Sequence, residues 1–207
     1  MISVVILAAG LSRRFGRNKL LEKINGYTII ERVVRGATTS KADEVIVVLG
    51  FEAQKIMEVL RKFNCKFVFN ESFYEGQSSS VKVGVKAVMN YTEAVIILPG
   101  DMGLITSKPI NIVIEEYYRS KSPIIVASYQ GRLGHPILFD RSLFEEILFI
   151  NEETMGLKAI LKRHEELLRK VEVDSPEVLI DIDREEDLRR ARQYLKYKQP
   201  YSFNGLS

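Results

Sequence analysis

The stretch Val4-Val5-Ile6-Leu7-Ala8-Ala9-Gly10-Leu11-Ser12-Arg13-Arg14-Phe15-Gly16-Arg17-Asn18-Lys19 decides how this chain is read. Val4 to Leu7 is an unbroken apolar run, as expected of a strand buried on both faces of a parallel sheet. The thirteen residues from Leu7 to Lys19 carry two glycines, one serine, three arginines and one lysine, and no acid. A glycine-bearing turn at the end of a strand exposes successive backbone N–H groups, which form a concave anion site. Basic side chains can close over it, and a nucleotide triphosphate is the anion this combination suits. The plainer alternative is a surface loop that is merely basic. Placement argues against it: the cations lie directly behind a core strand, with glycines where a backbone must turn or approach a ligand.

Spacing excludes two familiar phosphate loops. A P-loop needs Gly, four residues, then Gly-Lys-Ser/Thr. Here Gly10 and Gly16 are one residue too far apart, and Lys19 lies three residues beyond Gly16. A dinucleotide fingerprint needs the tighter Gly-x-Gly-x-x-Gly. The pattern instead resembles the Leu-Ala-Ala/Gly-Gly-x-x-x-Arg-x-Gly-x-x-Lys signature of nucleotidylyltransferases. That resemblance implies a triphosphate held by Leu7, Ala8, Ala9, Gly10, Ser12, Arg13, Arg14 and Lys19. Lys19 reads as a solvated cation, so its loss is expected to slow a reaction and leave stability little changed.

With 207 residues, 46% hydrophobic and 28% charged, the chain can bury one full core. The expectation is a single α/β domain over 1–197 and a frayed tail over 198–207. The net charge of +3, from 30 basic and 27 acidic residues, is too small for a general nucleic-acid binder. One cysteine, Cys65, excludes an internal disulfide and a cysteine-based zinc site. No apolar run approaches the 18 or so residues of a membrane span. The chain begins on a core strand without a charged leader, so cytoplasmic residence is the default expectation.

Strand-like runs recur at 3–7, 44–49, 66–69, 94–98, 124–128, 136–139 and about 178–182. Between them lie helical stripes: Ile29, Ile30, Val33, Val34 and Ala37; Ile56, Val59, Leu60 and Phe63; Val81, Val85 and Val88; and Leu188, Ala191 and Leu195. Such alternation predicts a mostly parallel twisted sheet with helices on both faces, Rossmann-like, with ligands at the carboxyl ends of the strands.

Four further clusters fall at such places. Pro99-Gly100-Asp101 closes the run at 94–98. A carboxylate there would repel a triphosphate unless Mg²⁺ intervened, held by one or two carboxylates plus phosphates; the alternative is a turn aspartate bonding its own backbone. Asp183 is the second candidate ligand, and equally a sound N-cap for the acid-rich helix start that follows. Gly76-Gln77-Ser78-Ser79-Ser80 opens a helix. One serine suffices as a cap, so three invite the sugar or base of a nucleotide. Gly134-His135-Pro136 reads as a shaped loop between two strands, where His135 either meets a second substrate or braces the turn.

Together these clusters resemble the molybdenum cofactor nucleotidylyltransferases, most closely the cytidylyltransferase branch, over about residues 2–195. The Ala8-Ala9 pair is similar to the cytidine type; guanylyl relatives usually carry a second glycine there. The resemblance implies transfer of CMP from CTP to the terminal phosphate of molybdopterin, with Mg²⁺ as cofactor. Arg14, Lys19 and Asp101 would be catalytic. Nucleotide contacts would extend to Gly76, Ser78, Ser79, Ser80, Pro99 and Gly100. Asp101 and Asp183 would hold metal, and Gly134, His135 and Pro136 the acceptor, on the far side of the metal from the cytosine. A molybdoenzyme or insertion chaperone is the implied protein partner. Three departures bear on the acceptor: Gly103 after the Asp-Met pair, Arg184-Glu185 in place of Thr-Pro, and Gly156-Leu157-Lys158 in place of Gly-Ala-Arg. Alternatives are GTP as donor, a sugar phosphate or phospholactate as acceptor, or a nucleotide-binding insertion partner without catalysis.

Overall fold

The computed structural model describes residues 1–198. The expected tail lies outside them, except for Lys198, the last residue of the final helix. Nine strands are described: β1 (Ile2–Ala8), β2 (Lys23–Ile24), β3 (Tyr27–Thr28), β4 (Glu44–Leu49), β5 (Lys66–Phe69), β6 (Ala94–Pro99), β7 (Ile124–Tyr129), β8 (Arg132–Asp140) and β9 (Leu168–Glu172). The helices are α1 (Ile29–Thr38), α2 (Ala53–Leu60), α3 (Gln77–Val88), α4 (Ser107–Ser120), α5 (Phe144–Leu148), α6 (Leu157–Arg163) and α7 (Glu185–Lys198). No described helix is long and apolar enough to cross a membrane.

Seven strands form one sheet in the order β5-β4-β1-β6-β8-β7-β9; β2 and β3 form a separate small hairpin. All neighbours in the large sheet are parallel except β8, which runs antiparallel to β6 and β7. Alternation along β1 sends Val4 and Ile6 to one face and Val5 and Leu7 to the other, and both sets are buried. The first face packs against α1, α2, α4 and α7, the second against α3, α5 and α6. This is the expected two-faced α/β architecture.

Connections from β1 lead outward through β4 to β5, and β6 then returns to the other side of β1. The topological switch point is therefore the crevice between the carboxyl ends of β1 and β6, where open α/β sheets bind ligands. Two expectations need correction. Residues 178–182 are not a strand: Pro176–Leu179 is a 3-10 turn, and the edge beside β7 is taken by β9. Gly134-His135-Pro136 is not a loop either. It lies within β8, and the hairpin turns at Gln130-Gly131.

Candidate active site

The basic loop after β1 is anchored by Phe15, which turns into the core and leaves Arg13 and Arg14 exposed. Ser12 adopts the left-handed region at φ 51. Its carbonyl accepts the Phe15 N–H at 2.9 Å, and its hydroxyl accepts the Lys19 N–H at 3.2 Å. The loop thus closes on itself at Lys19. Asn18 caps the following turn, its Oδ1 accepting the Leu20 N–H at 3.1 Å.

The second loop leaves β6. Gly100 donates its N–H to the Leu7 carbonyl at 2.9 Å. A Cβ at Gly100 would stand 2.7 Å from that oxygen, so glycine alone lets this turn lie so close to β1. A third segment completes the crevice: buried Ile182 donates its N–H to the Asp101 carbonyl at 3.2 Å. That bond brings Asp183 beside Asp101.

Lys19 joins the two carboxylates. Its Nζ lies 2.7 Å from Asp101 Oδ2 and 2.7 Å from Asp183 Oδ1, with only 13% of the side chain exposed. The expectation of a solvated lysine is thereby corrected. Burial pulls the ammonium pKa down, but Asp101 and Asp183 outweigh it, so Lys19 stays above its ordinary value and charged. Burial likewise pushes Asp183 up, yet Lys19 and Arg14 together hold it below the usual carboxylate range. Arg14 sits 2.7 Å from Asp183 Oδ2. Arg17 pairs with Glu22 and Glu185. Arg13 makes no ion pair among the described residues, which leaves its charge open to a ligand.

Asp183 does not cap α7 with its side chain. Asp187 does that work: its Oδ2 accepts the N–H groups of Asp183 at 3.1 Å and Arg184 at 2.8 Å. An acid in the first turn reaching back to cap the backbone is half of a capping box. It leaves the Asp183 carboxylate for Lys19 and Arg14.

These segments line a cavity of about 420 Å³, within the range of small-molecule sites. Of the nucleotide residues expected from sequence, Leu7, Ala9, Gly10, Ser12, Arg13, Arg14, Lys19, Gly76, Ser80, Pro99, Gly100 and Asp101 line it, and so does Asp183. Ala8, Ser78 and Ser79 do not. The three serines lie inside the first turn of α3, and none caps it with a side chain. The Ser79 hydroxyl donates to the Gly76 carbonyl at 2.7 Å, while the Ser78 N–H is capped at 2.6 Å by Glu152 Oε1. Phe73 and Tyr74 line the cavity too, and sequence reasoning missed them. Their only signal was an aromatic pair just ahead of Gly76.

A second cavity of about 580 Å³ adjoins the first at Gln77. Gly134 and His135 line it, with Glu152, Met155, Leu157 and Lys158 among their neighbours. Pro136 is buried in β8 and is not part of its wall. A Cβ on Gly134 would stand 2.1 Å from the Val178 carbonyl, so this glycine serves close packing of β8 on the 176–179 turn. Burial pushes His135 down to about 4, only partly opposed by Asp181, so the imidazole is neutral near pH 7. Asp101 and Asp183 line the first cavity alone, so the two cavities meet at the start of α3 and not across the carboxylates.

The donor set suits a hard divalent cation. Asp101 Oδ1 is buried and has no hydrogen-bond partner among the described residues, an expensive arrangement that a cation would relieve. No group of three or more carboxylate, histidine or cysteine side chains is arranged to hold a metal ion among the described residues. Two carboxylates are nonetheless the usual protein share of a magnesium site whose other ligands are water and substrate phosphates.

Comparison with known proteins settles the family. The model of the MobA-like NTP transferase domain matches residues 4–167, most of the chain. The chain belongs to that family. The molybdenum cofactor cytidylyltransferase of Escherichia coli (strain K12) is 28% identical over 194 residues, 93% of this chain and 96% of that protein. A probable molybdenum cofactor guanylyltransferase of Bacillus cytotoxicus is also 28% identical, over 77% of this chain and 79% of its own length. In fold, the chain superposes on a nucleotidyl transferase from Methanothermobacter thermautotroptrophicus with a TM-score of 0.82, at 24% identity, covering 96% of this chain and 99% of that one. As a member of this family the chain is a nucleotidyltransferase, and its fold is that of other nucleotidyltransferases.

Proposed function

We propose that this nucleotidyltransferase moves CMP from CTP to the terminal phosphate of a molybdopterin-type acceptor and releases pyrophosphate. The observation that carries the reading is the crevice between β1 and β6. There a basic loop, an Arg13 without an ion pair among the described residues, and two adjacent carboxylates share one cavity. Asp101 and Asp183 would hold Mg²⁺, which when bound neutralises phosphate charge.

The remaining work belongs to the chain. Arg13, Arg14, Lys19 and the backbone N–H groups after Ala9 position the triphosphate and stabilise the charge that builds on it. An acceptor phosphate oxygen attacks the α-phosphorus, the bond from α-phosphorus to its bridging oxygen breaks, and pyrophosphate leaves. A phosphate monoester with a second pKa of about 6 is mostly ionised at neutral pH, so no general base is needed. The second cavity, with neutral His135 on its wall, is the place for the acceptor.

Relatives of the cytidylyl and guanylyl types are equally similar in identity, so overall identity does not choose the base. The choice of CTP rests on Ala9, whose methyl group stands where guanylyl relatives usually have glycine, and which lines the cavity. A pyrophosphate-release screen of CTP, GTP and ATP against molybdopterin and sugar-phosphate acceptors tests both halves. Turnover fastest with CTP and molybdopterin is expected. Equal turnover of GTP and CTP would remove the base preference, and release with a sugar phosphate alone would remove the acceptor.

A further inference from the structure

We infer that Asn70 is a positioning residue for the nucleotide: it makes the Ser80 hydroxyl a hydrogen-bond donor toward an acceptor atom of the nucleoside. The inference rests on the reading of the first cavity as the nucleotide site. Asn70 follows edge strand β5 and is almost fully buried, at 1% exposure. Its backbone N–H donates to the Leu49 carbonyl at 2.8 Å, which ties it to β4.

The orientation of its amide follows from its partners. The Ser72 backbone N–H can only donate, and it lies 3.0 Å from Asn70 Oδ1. Asn70 Nδ2 therefore faces α3, where it donates to Ser79 Oγ at 2.8 Å and Ser80 Oγ at 3.0 Å. Ser79 passes its own proton to the Gly76 or Ser72 carbonyl, at 2.7 and 3.0 Å. Ser80 is different. Its oxygen accepts from Asn70, and its proton has no acceptor among the described residues. Ser80 is also the one serine of the three that lines the nucleotide cavity. A buried hydroxyl with an idle donor needs an acceptor from the ligand.

Phosphate is not that acceptor. The charged side chains of this cavity come from the loop after β1, the turn after β6 and residue 183. The wall between β5 and α3 offers Phe73, Tyr74, Gln77 and Ser80, which carry no charge. The Ser78 N–H at the helix start is already taken by Glu152. A flat heterocycle with carbonyl or ring-nitrogen acceptors is the part of a nucleotide that such a wall recognises.

Calorimetric binding of CTP and of inorganic pyrophosphate to Asn70→Ala, Ser80→Ala and the double variant tests this. Each single change should weaken CTP binding up to about tenfold, the worth of one neutral hydrogen bond. Pyrophosphate binding should not move, because it engages only the charged wall. The double variant should be no worse than the weaker single, since both changes remove one shared contact. Ser80→Ala leaves the Asn70 bonds to Ser72 and Ser79 in place, so it carries the test if Asn70→Ala fails to fold. CTP binding unchanged in Ser80→Ala, pyrophosphate binding that falls in step with CTP, or penalties that multiply would each overturn the inference. A wild-type protein that binds CTP but releases no pyrophosphate with any acceptor would instead overturn the transfer reading.

Discussion

Lys19 shows how one residue can hold a site together before any substrate arrives. Two carboxylates stand close enough to share its ammonium, and neither is well solvated. Lys19→Ala should therefore cost on the order of 10²-fold in rate and, contrary to the sequence-based expectation, stability as well. Breaking a buried pair costs about 3 kcal/mol or more; with the partners partly exposed, about 3 is the upper bound here. Mg²⁺ should restore more of the melting temperature in the variant than it adds to the parent, because the cation replaces the lost charge. A variant that melts like the parent without metal would refute the bridge. His135 makes a second prediction. Burial holds it at about 4 when folded, against about 6.5 when unfolded. Above pH 6.5 both states are neutral and its contribution is whole. As pH falls from there toward 4, the unfolded chain takes up a proton that the folded one refuses, and stability is lost. His135→Gln should flatten this acid limb in a series of urea melts. A limb of unaltered slope would place its origin elsewhere.

Among the elements, the start of α7 matters most to the site. Asp187 holds the backbone of Asp183 and Arg184, and Ile182 hangs on the Asp101 carbonyl. Asp187→Ala should cost about 1 kcal/mol, a typical cap, and also loosen Asp183, so half-maximal activity should need more Mg²⁺. Loss of stability with an unchanged Mg²⁺ requirement would confine Asp187 to capping. This segment also marks where the sequence was misleading. Val178-Leu179-Ile180-Asp181-Ile182 has a strand's composition, but Pro176 opens it with a turn, the Ile180 N–H bonds back to Glu177, and the Ile182 N–H goes to the Asp101 carbonyl. The strand that does take the edge beside β7, β9, reads Leu168-Arg169-Lys170-Val171-Glu172; its charges protect an exposed edge, and its two apolar residues stand three apart on opposite faces, so no alternation marks it as a strand. Strands β1, β4 and β6, inside the sheet, had no such disguise, and β5, the opposite edge, was legible as well from its run Phe67-Val68-Phe69. Side-chain partners were not: nothing local in Ser78-Ser79-Ser80 says which serine faces the cavity, since Asn70 and Glu152 decide it from elsewhere in the chain.

Across the whole molecule, the site exists only because three distant segments are delivered to one edge of the sheet. β1 brings the basic loop, β6 brings Asp101, and the approach to α7 brings Asp183. Motif order foretold the meeting of the basic loop with Asp101, because the carboxyl ends of the parallel strands β1 and β6 converge at the switch point; Asp183 joins them from a turn and not from the strand expected at 178–182. The antiparallel course of β8 was not drawn from the sequence, although the short loop read between the runs at 124–128 and 136–139 leaves no room for a parallel crossover. A site shared so widely couples binding to global stability. At a hundredfold excess over its dissociation constant, a ligand of the folded state adds about 2.7 kcal/mol. For a chain of this size that corresponds to about 5–10 °C in melting temperature. CTP with Mg²⁺ should produce a rise of this order, and CTP with a chelator a smaller one. Asp101→Asn separates the two parts. The amide keeps the shape of the turn but is a poor ligand for a hard cation, and the basic loop is untouched. The variant should keep the rise due to CTP alone and lose the increment due to Mg²⁺, with activity falling in parallel. Thermal melts of parent and variant, with CTP fixed and Mg²⁺ titrated, measure that increment directly. If Asp101→Asn retains the full increment, the cation is held elsewhere and the unpaired Oδ1 of Asp101 has no part in it.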